Sequence, residues 1–339
     1  MVLPEERNME RRKLRDLLKE GQVWAPCVWD CVSAKAAEIA GYKAIILASS
    51  IYSWARAGLP DLSMLSLDDW KETIENITYS SPLPLIIDFE DGFGQTPSHV
   101  YRAARMLARA GAQGLILYDT SAFRGTERGF VMDESHISGW YTKVIPLEDY
   151  LAKVKAAVAA CEGTDCIIIA ATAALASPYS PYTLDEAIER SVLAREMGAE
   201  MTFTAIPHWQ EGGNLEKCKK INEKLPGWKM YGDLCTGDKV SLDELKELGF
   251  NFVGTHCLHI GAYYGMLDVA IHNMQNRNTI YSESYGPERE KFRKEMKQMM
   301  DYRGQEFLAM EKEFLDVPKE RKYGKEPEDK SCIYTLKMR

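Results

Sequence analysis

A chain of 339 residues has room for one large barrel-type domain or two smaller ones, and 45% hydrophobic residues suffice for a sizeable core. A formal net charge of −8, with no basic stripe, excludes nucleic acid as a principal partner. No apolar run is as long as a membrane span and no signal peptide is read, which sets the expectation of a cytoplasmic protein with no membrane partner.

Taken in chain order, residues 1–23 read as an N-terminal helical extension whose mixed-sign stretch 5–15 is a solvated helix. From there strands and helices alternate. Strand 26–30 leads to helix 33–40, strand 43–49 to helix 67–78, strand 84–90 to helix 97–110 and strand 114–119 to helix 147–161. Strand 167–173 leads to helix 183–197, strand 199–205 to helix 215–225, strand 228–233 to helix 241–248, and strand 250–256 completes the set. Ser33, Ser66, Thr96, Thr183 and Ser241 are read as helix caps. Eight strands with intervening helices predict an α/β fold, a (β/α)8 barrel over 24–278. A helical stretch 262–275 follows. The segment 279–316 carries a long helix, 288–314, and 317–339 reads as a charged tail. The long helix presents Phe292, Met296, Met299, Phe307, Leu308 and Phe314 and needs a surface to cover them, from its own barrel or from a partner subunit. Eight cysteines lie at irregular spacings, several inside apolar runs, which suits reduced thiols better than a disulfide framework.

In a barrel of this kind the site lies at the C-terminal ends of the strands. Those ends deliver Asp30, Ser49, Ser50, Asp88, Glu90, Asp91, Asp119, Thr172, Thr204, Asp233 and His256. The run Leu85-Ile86-Ile87-Asp88-Phe89-Glu90-Asp91-Gly92 ends a buried strand in three carboxylates. Such carboxylates repel one another unless a cation or hydrogen-bond donors sit among them, and a hard divalent metal is the candidate. His256 and His259 lack a third partner at metal-ligand spacing and read as structural or pocket-lining. Trp54, Trp140, Tyr141 and Trp209 fall in loops on the same face and would enlarge or line the pocket.

With these pieces in place, the chain resembles the isocitrate lyase/phosphoenolpyruvate mutase superfamily from about Trp24 to about Phe314. The resemblance is carried by Trp29-Asp30, Ala40-Gly41-Tyr42-Lys43-Ala44, Gly58-Leu59-Pro60-Asp61, Asp88 through Gly94, Ala110-Gly111-Ala112-Gln113-Gly114 and Leu184-Asp185-Glu186-Ala187. Met274-Gln275-Asn276-Arg277 is similar to the 2-methylisocitrate lyase branch. The resemblance implies a modified (β/α)8 TIM barrel whose C-terminal helix is swapped between subunits of a homodimer or homotetramer. It also implies Mg²⁺ (or Mn²⁺) chemistry on a small organic acid, with a C–C or P–C bond cleaved or formed beside an oxo-acid and an enolate stabilised by the metal.

On that resemblance Asp88 and Glu90 hold the metal with Asp119 beside them, and Asp61 and Asp30 lie around the same site. Ser49 and Ser50 stand where the family holds a substrate carboxylate, and Tyr118, Thr172, Thr204, Asp233 and His256 complete the substrate pocket. Several positions depart from the family pattern. Tyr118-Asp119 replaces a Glu-Asp pair, and Ala170-Ala171-Thr172-Ala173-Ala174 replaces Ala-Arg-Thr-Asp-Ala, which removes an arginine that grips a substrate carboxylate. The loop after the fourth strand carries Glu134 and His136 where related lyases have an acid/base cysteine and a histidine, so these two are the acid/base candidates together with Asp61. The expectation is a lyase with an altered, less anionic substrate. A phosphonate mutase or hydrolase and a catalytically silent ligand-binding barrel are the alternatives.

Overall fold

The structure, a computed structural model, describes residues 11–120, 144–175, 181–206, 213–232, 240–277, 293–299 and 304–315. Eight strands close into one barrel in sequence order, β1 (Val23–Val28), β2 (Ile45–Leu47), β3 (Leu85–Asp88), β4 (Gly114–Tyr118), β5 (Ile167–Thr172), β6 (Met201–Thr204), β7 (Trp228–Gly232) and β8 (Phe250–Thr255). Every neighbouring pair is parallel, including β1 with β8. Parallel strands are buried on both faces, which is why they appear as unbroken apolar runs such as Ile167-Ile168-Ile169.

The outer layer contains α2 (Cys31–Ile39), α4 (Leu67–Ser80), α5 (Pro97–Arg109), α6 (Leu147–Cys161), α7 (Leu184–Glu196), α8 (Asn214–Lys224) and α9 (Leu242–Glu247). Reciprocal capping boxes start four of them, at Asp30/Ser33, Ser66/Asp69, Thr183/Glu186 and Ser241/Glu244. Ser66, Thr183 and Ser241 are therefore caps as expected. Ser33 is the third residue of its helix and Asp30 is the cap, while Thr96 occupies the cap position of α5 with its hydroxyl bonded to the Ser98 and His99 side chains and not to a backbone N–H. A short helix not read from the sequence, α3 (Ser49–Ala57), follows β2 directly and ends at Gly58, whose φ of 63° is left-handed.

The N-terminal helix α1 (Leu14–Glu20) overlaps only the end of the stretch 5–15 expected to be solvated, of which 11–13 are exposed and 5–10 lie outside the described residues. Leu14, Leu17 and Leu18 are buried and join the interior of the barrel with Ile86, Ile116 and Ile167. Its start is fixed by Leu14 N, which donates to Gln113 Oε1 at 2.8 Å, and by Arg15, which reaches Glu200 at 2.6 and 2.8 Å. After β8 comes α10 (Cys257–Asn276), which has no buried residue. The chain divides into two compact units, Met1–Met299 and Met300–Arg339. The first includes α11 (Arg293–Met299), which lies against α2, and the second contains α12 (Gly304–Leu315). Of the long helix expected over 288–314, helical segments are described at 293–299 and 304–315, and the remaining positions lie outside the described residues. Among the described residues no helix is long and apolar enough to cross a membrane.

Candidate active site

Strand alternation decides which side chains enter the bore of the barrel, because successive residues point to opposite faces. Cys27, Ile46, Ala48, Ile86, Ile116, Tyr118, Ala171, Ala173, Phe203 and Met230 belong to the interior cluster. Val28, Leu47, Ile87, Leu117 and Ala170 instead pack outward against the helices. Asp88 has the inward parity of Ile86, and it lines a cavity of about 30 Å³ with Tyr118, Phe203, Met230 and His256. Among the described residues the upper bore therefore carries one carboxylate and one imidazole over an apolar floor. Tyr118 and Phe203 meet edge to face at 6.2 Å and close that floor from the β4–β6 side.

The carboxylate of Asp88 is held on both oxygens. Ser49, the first residue of α3, donates its hydroxyl to Oδ2 at 2.9 Å and its N–H at 3.4 Å, and the Glu90 N–H donates to Oδ1 at 3.2 Å. The start of α3 thus supplies partial positive charge as well as two donors. Ser50 is half-buried at the next position. Beyond Asp88 the backbone turns through an unusual run, with φ of 51° at Glu90, 90° at Gly92 and 56° at Phe93. A left-handed glutamate and phenylalanine are costly and persist where the surroundings impose them. The turn is pinned by the Tyr118 N–H to the Glu90 carbonyl at 2.8 Å and by buried Lys153 of α6, whose Nζ donates to the Asp91 carbonyl at 2.9 Å and lies 4.0 Å from its carboxylate. Burial lowers the Lys153 pKa, and the charge of Asp91 opposes that shift. Asp88, Glu90 and Asp91 are all buried, so the turn concentrates negative charge out of water.

Three residues expected in the pocket face the other way. Asp119 is fully buried. Its Oδ2 accepts from Arg190 Nε at 2.7 Å and from Thr172 Oγ1 at 2.6 Å, and its Oδ1 accepts from the Ala173 N–H at 2.8 Å. Burial pushes its carboxyl pKa up and Arg190 pulls it back. The expected metal-side role of Asp119 gives way to a closed ion pair, because its parity is that of Leu117 and its side chain enters the layer between strands and helices. Thr172 shares that layer. Thr204 bonds Ser191 of α7 at 2.8 Å instead of lining the bore. Arg190, which the sequence reading missed, also donates to the Ile145 carbonyl and lies 5.7 Å from the ring centres of Tyr150 and Tyr182.

The remaining candidates sit at the rim. Asp30 accepts from the Ser33 N–H and hydroxyl, both at 2.7 Å, so its carboxylate caps α2. Asp61 is half-buried in the connection between α3 and α4. His256 stands at the end of β8 and begins an aromatic row with His259 at 6.1 Å, Tyr263 a further 5.7 Å on, and Trp29 beyond at 6.1 Å. Trp54 of α3 joins the row at His259, 6.4 Å away. His259 Nδ1 is buried with no hydrogen-bond partner among the described residues, and desolvation lowers its pKa. Glu134, His136 and Asp233 lie outside the described residues, as do Trp140, Tyr141 and Trp209.

Residues 14–274 of the chain match the phosphoenolpyruvate phosphomutase family. The chain belongs to that family. It is an enzyme family within the isocitrate lyase/PEP mutase superfamily. The chain is 31% identical over 239 residues to the petal death protein of Dianthus caryophyllus, covering 69% of each. It is 36% identical over 168 residues to the 2-methylisocitrate lyase of Escherichia coli (strain K12), covering 49% of this chain and 52% of that one. The solved phosphoenolpyruvate phosphomutase from Streptomyces platensis subsp. rosaceus superposes with a TM-score of 0.72 over 89% of this chain and 98% of that one, at 21% identity, a likeness of fold.

In this member of the phosphoenolpyruvate phosphomutase family, the Asp88–Glu90 turn brings two carboxylates to the end of β3 among the described residues. Among the described residues no three His, Cys, Asp or Glu side chains gather into a metal cage. That donor set fits Mg²⁺, which keeps several waters and is commonly bound through one or two carboxylates plus oxygens of the substrate. The fit rests on the burial of Asp88 and Glu90, two carboxylates of one turn at the end of β3.

Proposed function

We propose that the protein is a Mg²⁺-dependent carbon–carbon lyase of the isocitrate lyase/PEP mutase type, acting on a small 2-oxo or 2-hydroxy acid that carries less negative charge than the substrates of related lyases. The observation that carries this reading is the position of Asp88, inward at the end of β3 and held by Ser49 and Glu90 above an apolar floor. Asp88 and Glu90 would hold the metal, which when bound would polarise the oxygens of an oxo-acid and favour its enolate. Ser49 and Glu90 fix the Asp88 carboxylate through donors to both its oxygens. Ala171 and Ala173 present methyl groups to the interior, so the wall there suits an apolar substituent better than a second carboxylate. Glu134 and His136 are the proposed proton donors, with Asp61 and Asp233 near the substrate. A cytoplasmic location belongs to the same reading, supported by the thiols of Cys31, Cys161 and Cys166. So does a homo-oligomer joined along α10, supported by the exposed apolar stripe of that helix.

Titration calorimetry with Mg²⁺ and Mn²⁺, followed by a screen of 2-hydroxy acids against phosphonates read by release of pyruvate, glyoxylate or phosphate, tests the reading. Asp88→Ala is expected to lose metal binding and to lower turnover by more than about 100-fold, beyond what loss of outer-shell partners of a metal costs. Glu134→Gln is expected to lower turnover while leaving metal affinity unchanged, and full activity in that variant removes Glu134 from the mechanism. A protein that binds neither ion and is indifferent to Asp88→Ala is a ligand-binding barrel.

A further inference from the structure

On the outer side of the barrel wall from Asp88, four aromatic rings from three stretches of chain form one column. Tyr52 of α3 meets Trp70 of α4 at 5.0 Å between ring centres and 70°, Trp70 meets Phe93 at 5.8 Å and 76°, and Phe93 meets Phe89 at 5.7 Å and 45°. Tyr52, Trp70 and Phe89 are fully buried, and Phe93 packs against the same cluster between strands and helices. Contacts of this kind are directional, so each ring constrains the orientation of the next. The Tyr52 hydroxyl adds a polar tie, donating to the Asp69 carbonyl at 2.7 Å and lying 2.7 Å from Thr73 Oγ1, both on α4.

The column joins the two groups that hold the Asp88 carboxylate. Tyr52 lies three residues after Ser49 on α3, one helical turn from the donor to Oδ2. Phe89 and Phe93 bracket Glu90, whose N–H is the donor to Oδ1. Trp70 is the ring that packs against both branches. We propose that Trp70 is a positioning residue of the candidate active site that sets both Asp88 donors at once, acting on Ser49 through Tyr52 and on Glu90 through Phe93. Its consequence for metal binding rests on the reading of Asp88 and Glu90 as the metal-holding pair.

Backbone conformation explains why the turn needs this support. Glu90 and Phe93 have φ of 51° and 56°, a region that residues with a Cβ keep only where their surroundings over-determine it. The Tyr118 N–H and Lys153 Nζ fix the carbonyls of Glu90 and Asp91, and Phe93 is held through its ring, seated between Trp70 and Phe89. With a smaller side chain at position 70, Phe93 gains room to relax toward negative φ, and that rotation carries Glu90 away from Asp88. On the other branch Tyr52 loses its ring contact with α4, and the first turn of α3 shifts with it. A residue that only filled the core would loosen the barrel generally, whereas a positioning residue loosens these two donors and spares the strands elsewhere in the barrel.

The test is hydrogen–deuterium exchange of the metal-free full chain, read at the hydrogen-bonded amides of Ser49, Glu90 and Gly92, with β5 and β6 as the internal reference. In Trp70→Leu all three amides are expected to exchange about tenfold faster than in the wild type, while β5 and β6 keep their rates. Tyr52→Phe, which keeps the ring and removes the polar tie to α4, is expected to speed Ser49 alone, and Phe93→Leu to speed Glu90 and Gly92 alone. These two milder variants carry the test if Trp70→Leu does not fold. Wild-type rates at Ser49 or Glu90 in Trp70→Leu, equal acceleration of β5 and β6, or loss of the split between the two milder variants overturns the proposal. Mg²⁺ titration separates it from the metal reading. Affinity in Trp70→Leu is expected to fall about tenfold, and an unchanged affinity overturns the positioning role. A wild type that binds neither Mg²⁺ nor Mn²⁺ overturns the metal reading, and the exchange pattern then decides the positioning role by itself.

Discussion

Arg190 reaches Asp119 across 71 positions of sequence, and the pair is sealed, at 6% and 0% side-chain exposure. A charge in that position is tolerable because each member satisfies the other and both have further partners: Thr172 and the Ala173 N–H for the carboxylate, the Ile145 carbonyl for the guanidinium. Removing one member leaves the other unpaired in a medium that cannot solvate it. Arg190→Met is therefore expected to destabilise the protein by about 3–5 kcal/mol in urea unfolding, and Arg190→Met combined with Asp119→Leu should recover much of that loss. If the single variant unfolds at the wild-type midpoint, water reaches Asp119 and the pair is not closed. Nothing in the residues around Asp119 announces Arg190. The carboxylate looks like a site residue because it ends a strand, and its partner lies one β/α unit further on, in the middle of a helix whose pattern gives no sign of an inward-facing charge.

At the scale of elements, the alternation of strands and helices was legible because parallel barrel strands leave contiguous apolar runs between amphipathic helices. The same property hid the site. A strand buried on both faces is apolar at odd and even positions alike, so Ile116-Leu117-Tyr118-Asp119 carries no mark of which parity faces the bore. One anchor would have sufficed. With Asp88 taken as inward, counting by two along β3 and pairing Asp88 with Ile116 across to β4 places Tyr118 inward and Asp119 outward. The turn after β3 depends on Gly92, where a Cβ would come within 2.8 Å of Val100 Cγ2 and 3.1 Å of Leu117 Cδ1 at a φ of 90°. Gly92→Ala is expected to cost roughly 1–3 kcal/mol from strain and overpacking, and to weaken metal affinity by displacing Glu90. Unchanged thermal unfolding and unchanged metal titration in that variant would mean the turn is more pliant than its packing implies.

For the molecule as a whole, the open question of surface is α10. Ile260, Tyr264, Leu267, Ile271 and Met274 recur at alternating spacings of four and three residues, and all five are exposed. Such a stripe on a twenty-residue helix is the pattern of a face that packs against another helix. Light scattering is expected to find a dimer or larger assembly at micromolar concentration, and Leu267→Glu with Ile271→Glu should shift it toward monomer without loss of the barrel's circular dichroism. A wild-type monomer would remove the interface.

The burial of α1 has a consequence for how the chain comes to be folded. Its three leucines close the floor of the barrel against Ile86, Ile116 and Ile167, and Arg15 is tied to Glu200. The helix is synthesised before its docking surface, which spans β3 to β5, and its ionic anchor lies 185 residues downstream. Contacts of such sequence separation slow folding and leave apolar surface uncovered in the meantime. During synthesis, α1 is a stopper that waits for its bottle to be made.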